Sequence, residues 1–188
     1  MHGLVSLLPE TYYQKVEDLW KELEERHGLT GISVTPYPHF SWQIAEDYDL
    51  EKLEKIVQEI ASETAPLKVQ TGGIGIFTGP KPVIFISVVK SQALMKLHAK
   101  IWEKANDAGR DISALYSPDT WMPHISLAYE DVDESNIAAV MDGLFFRSFS
   151  WEMIIDNIAF IYEPSGTIGQ LKFQYQFTQP SPTERRNY

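Results

Sequence analysis

Along two short stretches the chain alternates between apolar and polar residues with the two-residue period of a half-buried strand. In the first, roughly 37–45, Phe40, Trp42 and Ile44 fall on one side, with His39, Ser41 and Gln43 on the other. In the second, roughly 122–129, Ile125, Leu127 and Tyr129 face one way, and His124, Ser126 and Ala128 the other. Each apolar triplet reads as a core face, which leaves a His/Ser pair displayed on the reverse of each strand. Both stretches open with the same four residues in kind, Pro-His-apolar-Ser, at Pro38–Ser41 and Pro123–Ser126.

The surrounding pattern predicts the other elements. An apolar run over 3–8 reads as a first strand. Tyr13, Val16, Leu19, Trp20 and Leu23 recur at helical spacing, so a helix is expected over 10–27, opened by Pro9 and stopped by Gly28. A second helix, capped by Asp49, carries Leu50, Leu53, Val57 and Ile60 on one stripe and ends before Pro66. Residues 67–77 read as a strand with glycines at 72, 73 and 75; a third glycine and a following helix are missing, so this is a bulged or closely approached strand and not a dinucleotide fingerprint. Gly79-Pro80-Lys81-Pro82 turns into a buried strand over 83–89. Ser91 caps a helix over 92–108 closed by Gly109, and Asp133 caps a shorter one with Ile137, Val140 and Met141 inward. Two strands, 149–162 and 170–177, joined at Pro164-Ser165-Gly166, complete the pattern. The order strand, helix, His/Ser strand, helix thus occurs twice, and Glu46-Asp47 after the first motif is echoed by Glu130-Asp131 after the second. Two related halves about a pseudo-twofold axis would bring the motif strands together across a cleft. Residues 1–179 are expected to form a single bilobal domain of two interleaved halves, with 180–188 a disordered polar tail.

Composition narrows the function classes. The 188 residues are 44% hydrophobic and 12% aromatic, enough for a core without staples, and contain no cysteine, which excludes disulfides, thiolate metal sites and a Cys nucleophile. No apolar run approaches the ~20 residues of a membrane helix, and Leu4–Leu8 lacks the basic flank of a secretory signal, so a cytoplasmic protein is the expectation. A formal charge of −10 argues against a surface that grips long duplex nucleic acid.

Two imidazoles and two hydroxyls suit one reaction well. Cleaving a phosphodiester requires a proton taken from the attacking oxygen and another given to the departing one. Histidine, titrating near about 6.5, can do either at neutral pH. One residue along, on the same face, each serine can donate to the non-bridging oxygens where charge must be held. The scheme requires neither metal nor cofactor.

The duplicated His-x-Ser motif, His39-Phe40-Ser41 and His124-Ile125-Ser126, within a strand–helix repeat resembles the two-histidine (2H) phosphoesterase superfamily, which includes 2′-5′ RNA ligase-like and cyclic phosphodiesterase proteins. Gly75-Ile76-Phe77 through Val83-Ile84-Phe85 is similar to that family's strand pair leading into the second half, and the resemblance spans residues 3–178. It implies an α+β, bilobal fold with antiparallel sheets around a central cleft. It also implies metal-independent opening of a cyclic phosphate, often 2′,3′-cyclic phosphate at a nucleotide or RNA end. By position, His39 and His124 would be the acid/base pair and Ser41 and Ser126 the phosphate donors. The family commonly has Thr where this chain has Ser, which keeps the hydroxyl and loses the methyl that stiffens χ1.

Other residues carry weaker signals. Tyr37 would share the His39 face and could stack on a base if the strand runs through Pro38; Trp121, Tyr116 and Phe77 are looser aromatic candidates, and Lys81 and Arg110 are loop cations near the motifs. His98 lies on a helix stripe with Leu94, Leu97, Ile101 and Trp102 and reads as core; His27 adjoins a helix end, and His2 a mobile terminus. Asp47 and Asp131 sit at an odd offset from the histidines, and two histidines alone make a thin metal site. The expected partner is a cyclic-phosphate nucleotide or RNA terminus, with no membrane and a monomer as the default. The alternatives are an RNA-end 2′-5′ ligase or phosphodiesterase, a non-catalytic nucleotide- or phosphate-binding module, and an interaction domain using the acidic face.

Overall fold

The structure, a computed structural model, describes residues 2–164 and 167–180. The chain order is β1 (His2–Leu7), α1 (Glu10–His27), a 3-10 turn (Gly31–Val34), β2 (His39–Tyr48), α2 (Leu50–Ser62), β3 (Leu67–Phe77), β4 (Val83–Val88), α3 (Gln92–Ala105), β5 (Gly109–Ile112), β6 (His124–Ala128), α4 (Ile137–Leu144), β7 (Glu152–Ile155), β8 (Asn157–Tyr162) and β9 (Gln170–Gln176). The strands form two antiparallel sheets, ordered β5-β2-β1-β8-β9 and β6-β4-β3-β7. The fold is α+β and bilobal, with a pseudo-twofold relation. In one sheet β1 separates the first motif strand β2 from β8; in the other β4 separates the second motif strand β6 from β3.

Local chemistry explains most boundaries. Gly28 ends α1 in the left-handed region at φ 69°, its N–H bonded to the Glu24 carbonyl. Asp49 and Ser91 cap α2 and α3, accepting from the Lys52 and Leu94 amides at 3.1 and 3.2 Å. The helices then cross between halves: α1 packs against β6, and α3 against β2. One continuous core results, in which Val16, Trp42, Ile84, Ile101, Trp121 and Phe160 are all sealed from solvent. Among the described residues no helix is long and apolar enough to cross a membrane.

Several sequence expectations are corrected. The stretch 149–162 is two strands, not one: β7 joins the four-stranded sheet and β8 the five-stranded sheet, with Asp156 between them. Burial explains the break, since β7 alternates exposed and buried while Asn157–Ile161 is buried throughout. Residues 109–112, read as a helix stop and loop, form β5, whose polar sequence Gly-Arg-Asp-Ile hides its pairing with β2. Helix 92–108 is α-helical to Ala105 and tightens to a 3-10 turn over 106–108. Asp133 does not cap α4, which starts from Asn136; its carboxylate holds the Ser135 and Asn136 amides in the preceding turn. His2 is not at a loose end. It is buried in β1, stacked on Tyr162 at 4.3 Å. The tail from 181 onward and Ser165-Gly166 of the last turn lie outside the described residues.

The glycines of β3 serve both purposes that strand glycine can. The β3–β4 register shifts between Thr71 and Ile74, with Gly73 at φ 102°, so a bulge occupies Gly72-Gly73. Gly75 lies beneath the Phe85 ring, and a Cβ there would overlap the ring carbons. Gly75→Ala is therefore expected to displace Phe85 and destabilise the fold by about 1–3 kcal/mol, read as a lowered midpoint in urea unfolding with an unchanged slope.

Candidate active site

Between the motif strands lies a cavity of about 630 Å³ whose lining includes His39, Ser41, His124 and Ser126. These four side chains come from β2 and β6, segments some eighty residues apart that lie against each other without pairing. Both strands are sheet edges here: β6 pairs only with β4, and β2 meets β5 only from Ala45 onward. Among the described residues neither serine hydroxyl has a partner within the chain, which leaves both free to donate into the cavity.

The two histidines are held in the same way. His39 Nδ1 bonds the Tyr37 carbonyl, and His124 Nδ1 bonds the Met122 carbonyl at 2.7 Å. Each bond spans a proline, which restricts the preceding residue to extended geometry. A carbonyl can only accept, so Nδ1 carries the proton and the neutral ring keeps its lone pair on Nε2. Burial pushes the His39 pKa down to about 4; the Tyr37 carbonyl opposes this, and the nearby His124 adds to it. His124 is also lowered by burial, against the pull of the Met122 carbonyl. Phe77 and Phe85 pack on the His124 ring at 4.9 and 5.2 Å.

The alternation expected beyond each serine is wrong by one residue, in the same way in both strands. Trp42 has no partner between Gln43, opposite Leu4, and Ser41, opposite Val5; Leu127 has none between Ala128, opposite Ile84, and Ser126, opposite Phe85. Each is a β-bulge. Gln43 and Ala128, expected on the His/Ser face, turn into the core, and Ile44 and Tyr129, expected in the core, line the cavity. Gln43 takes a hydrogen bond from the Tyr48 hydroxyl at 3.1 Å in its buried position.

Sequence reasoning also missed two indole contacts. Trp20 of α1 donates Nε1–H to the Ser126 carbonyl at 3.0 Å, and Trp121 donates to the Ser41 carbonyl at 2.9 Å. These edge carbonyls lack a ladder partner, and each is satisfied by a tryptophan from the other half. The available signal was weak: Trp121 adjoins the second motif, while Trp20 lies on the helical stripe of α1, a pattern that reads as core.

The remaining candidates separate clearly. Tyr37 is not among the residues lining the cavity: β2 begins after Pro38, and Tyr37 packs against the cluster of Val5, Ala159 and Ile161, its hydroxyl accepting from the Leu171 amide at 3.4 Å. Trp121 is buried and stacks on His98 at 3.8 Å and 2°, while Phe77 and Tyr116 do line the cavity. His98 sits in the core, its Nε2 near the Trp42 and Tyr116 carbonyls at 3.1 and 3.0 Å. Lys81 pairs with Glu130 at 3.5 Å and Arg110 with Asp47 at 2.9 Å, and none of these four lines the cavity. Asp131 accepts from the Thr30 and Gly31 amides at 2.6 Å each, which anchors the 3-10 turn carrying Ile32 and Val34 to the rim. Among the described residues no three His, Asp or Glu side chains converge as a metal cluster.

The model of the 2′-5′ RNA ligase superfamily matches residues 12–167. The chain belongs to that superfamily. A protein of Bacillus mycoides provisionally named a phosphoesterase is 24% identical to this superfamily member over 164 residues, covering 86% of this chain and 87% of the relative. A Bacillus cereus protein of the same provisional name is 22% identical over 161 residues, with the same coverage. Among solved structures, TT0787 of Thermus thermophilus superposes with a TM-score of 0.63 at 17% identity, covering 94% of this chain and 97% of the other. LigT of E. coli, complexed with 3′-AMP, superposes at 0.54 and 11% identity, covering 95% and 98%. At these identities the structures establish the shared fold.

The half-buried motif histidines give a stability test. Both pKa values are lowered on folding, so the unfolded chain binds more protons below about pH 6.5, and stability must fall as pH drops from there toward about 4. The loss between about pH 7 and about pH 4.5 is expected to be on the order of 1–3 kcal/mol in urea unfolding, with a flatter dependence in His39→Asn. NMR should show the His39 ring still neutral at about pH 5.

Proposed function

We propose that this protein opens a 2′,3′-cyclic phosphate, or a related cyclic phosphodiester at a nucleotide or RNA end, by paired-histidine acid–base hydrolysis. The observation that carries this reading is the lining of one cavity by both His/Ser pairs, each imidazole tied back through Nδ1 and offering Nε2. In the proposed step, Nε2 of one neutral histidine takes a proton from water as the water oxygen attacks phosphorus. The P–O bond to the ring oxygen breaks, and the second histidine, protonated on Nε2, donates that proton to the leaving alkoxide. The product is a phosphomonoester. Ser41 and Ser126 donate to the non-bridging oxygens, where negative charge concentrates. Acid–base transfer of this kind contributes roughly 10²–10⁴-fold.

Burial favours the neutral form of both rings, so the second histidine takes its proton from solvent as the anionic substrate binds. An anionic phosphodiester between the imidazoles favours the imidazolium form and supplies the missing counter-charge. The fold shared with LigT, whose structure holds 3′-AMP, fits a product of this class. The RNA-end ligase or phosphodiesterase reading uses the same groups on a longer substrate. A non-catalytic binding module would have no use for two proton-transfer groups.

The test is turnover of a 2′,3′-cyclic nucleotide in excess EDTA. Wild type is expected to be active, with His39→Ala and His124→Ala each lowering kcat/KM by roughly 10²–10⁴-fold while circular dichroism and cooperative unfolding persist. Ser41→Ala and Ser126→Ala should each cost about 10-fold or more. Full activity in either histidine variant would defeat the proposal. Because both free-enzyme pKa values lie below the ordinary histidine value, the bell-shaped profile of kcat/KM should be centred below about pH 6.5. In the complex the anion raises both values, so the kcat profile should move to higher pH.

A further inference from the structure

The cavity that frames the phosphate-binding pairs is electrically unusual for a protein grouped with RNA enzymes. Among the described residues no Lys or Arg lines it, and burial holds the carboxyl of its one acidic lining residue, Glu163, above the usual carboxylate range. The two cations expected near the motifs, Lys81 and Arg110, are each paired with a carboxylate and do not line the cavity. The rim is instead apolar and wet: Val34 is 39% exposed, Leu115 73%, Met122 56% and Tyr129 37%, and all four line the cavity. Exposed large apolar side chains gathered at one opening mark a surface that a ligand covers.

We infer that the substrate carries no charge beyond its single cyclic phosphate, and that its body is neutral, nucleoside-sized and apolar on the flank that meets the rim. The inference rests on the proposed reading of the His/Ser pairs and narrows it, excluding chain-extended RNA ends. Three physical points carry it. One phosphate monoanion is fully served by two serine donors and two histidines, one of them protonated. A second phosphate would meet exposed apolar side chains on a protein of formal charge −10, with neutral hydroxyls such as those of Thr35, Ser113 and Thr120 but no lining Lys or Arg to offset its desolvation. A cavity of about 630 Å³ suits a ligand of nucleoside size, and Leu115 and Met122 offer it apolar surface that gains by leaving water.

The experiment compares a 2′,3′-cyclic mononucleotide with the same nucleoside cyclic phosphate at the end of a di- and a tetranucleotide. Wild-type kcat/KM is expected to fall about tenfold on adding the first internucleotide phosphate, with the gap narrowing as salt screens the repulsion. Leu115→Arg, at a highly exposed position, should raise kcat/KM for the tetranucleotide about tenfold and make it decrease with salt. Leu115→Ser and Met122→Ser should each raise KM for the mononucleotide about fivefold. The inference is overturned if wild type processes the tetranucleotide as well as the mononucleotide at about 0.15 M salt with activity that falls as salt rises, or if both serine variants leave KM unchanged. His-dependent turnover with either result leaves the acid–base reading intact. If no cyclic phosphate is turned over, that reading fails by itself. Calorimetric binding of the same series then decides the inference: tighter binding of the mononucleotide supports it, and tighter binding of the tetranucleotide overturns it.

Discussion

The bond from each motif imidazole to the carbonyl two residues before it governs what the cleft can present. Without it a histidine in a cavity chooses between tautomers and swings about χ2, and neither nitrogen has a defined task. With Nδ1–H committed to the main chain, Nε2 is the nitrogen left to face the cavity in both halves, and both rings are held on strands. The intervening prolines make this cheap, because Pro38 and Pro123 already confine Tyr37 and Met122 to extended geometry. Burial then biases both rings toward the neutral form.

The second constraint is reciprocity between the halves. The helix of the first half lies on the motif strand of the second, and the converse holds for α3. Trp20 satisfies the carbonyl of Ser126, and Trp121 that of Ser41, so neither half can complete its own motif. Such edge carbonyls, partly withdrawn from water, would otherwise cost on the order of 1–3 kcal/mol each. The same bonds set the spacing of two strands that face each other without a hydrogen-bonded ladder. His98 adds a neutral wedge behind them, stacked on Trp121 and bonded to the carbonyls of Trp42 and Tyr116. Aromatic packing in the core is therefore the support on which the polar face rests.

The distribution of charge adds a third theme. The acidic character of the chain is not screened by a basic cleft, and aliphatic residues such as Val34, Leu115 and Met122 share the cavity wall with the His/Ser pairs and with Thr35, Ser113 and Thr120. Electrostatics in such a site acts through donors and dipoles in a poorly hydrated space, where each hydrogen bond to a phosphate oxygen counts for more than in water.

The chain alone disclosed a good deal. The paired Pro-His-apolar-Ser strands, the order of strands and helices around them, the caps at Asp49, Ser91 and Gly28, and the core reading of His98 all follow from local periodicity and backbone preference, which operate over a few residues. What escaped it depends on partners distant in sequence. The bulges at Trp42 and Leu127 arise from pairing with β1 and β4, so no local pattern reveals that Ile44 and Tyr129 reach the cavity while Gln43 and Ala128 do not. Strand β5 is polar and exists because β2 offers it an edge, and the continuous stretch 149–162 divides because two sheets compete for it. Residue order was enough to place the side chains of each motif strand up to the serine and to single out the residue types on which the proposed function draws. That both pairs share one cavity, that its rim is apolar, and which residues complete it came from the folded chain, because those are facts of long-range packing.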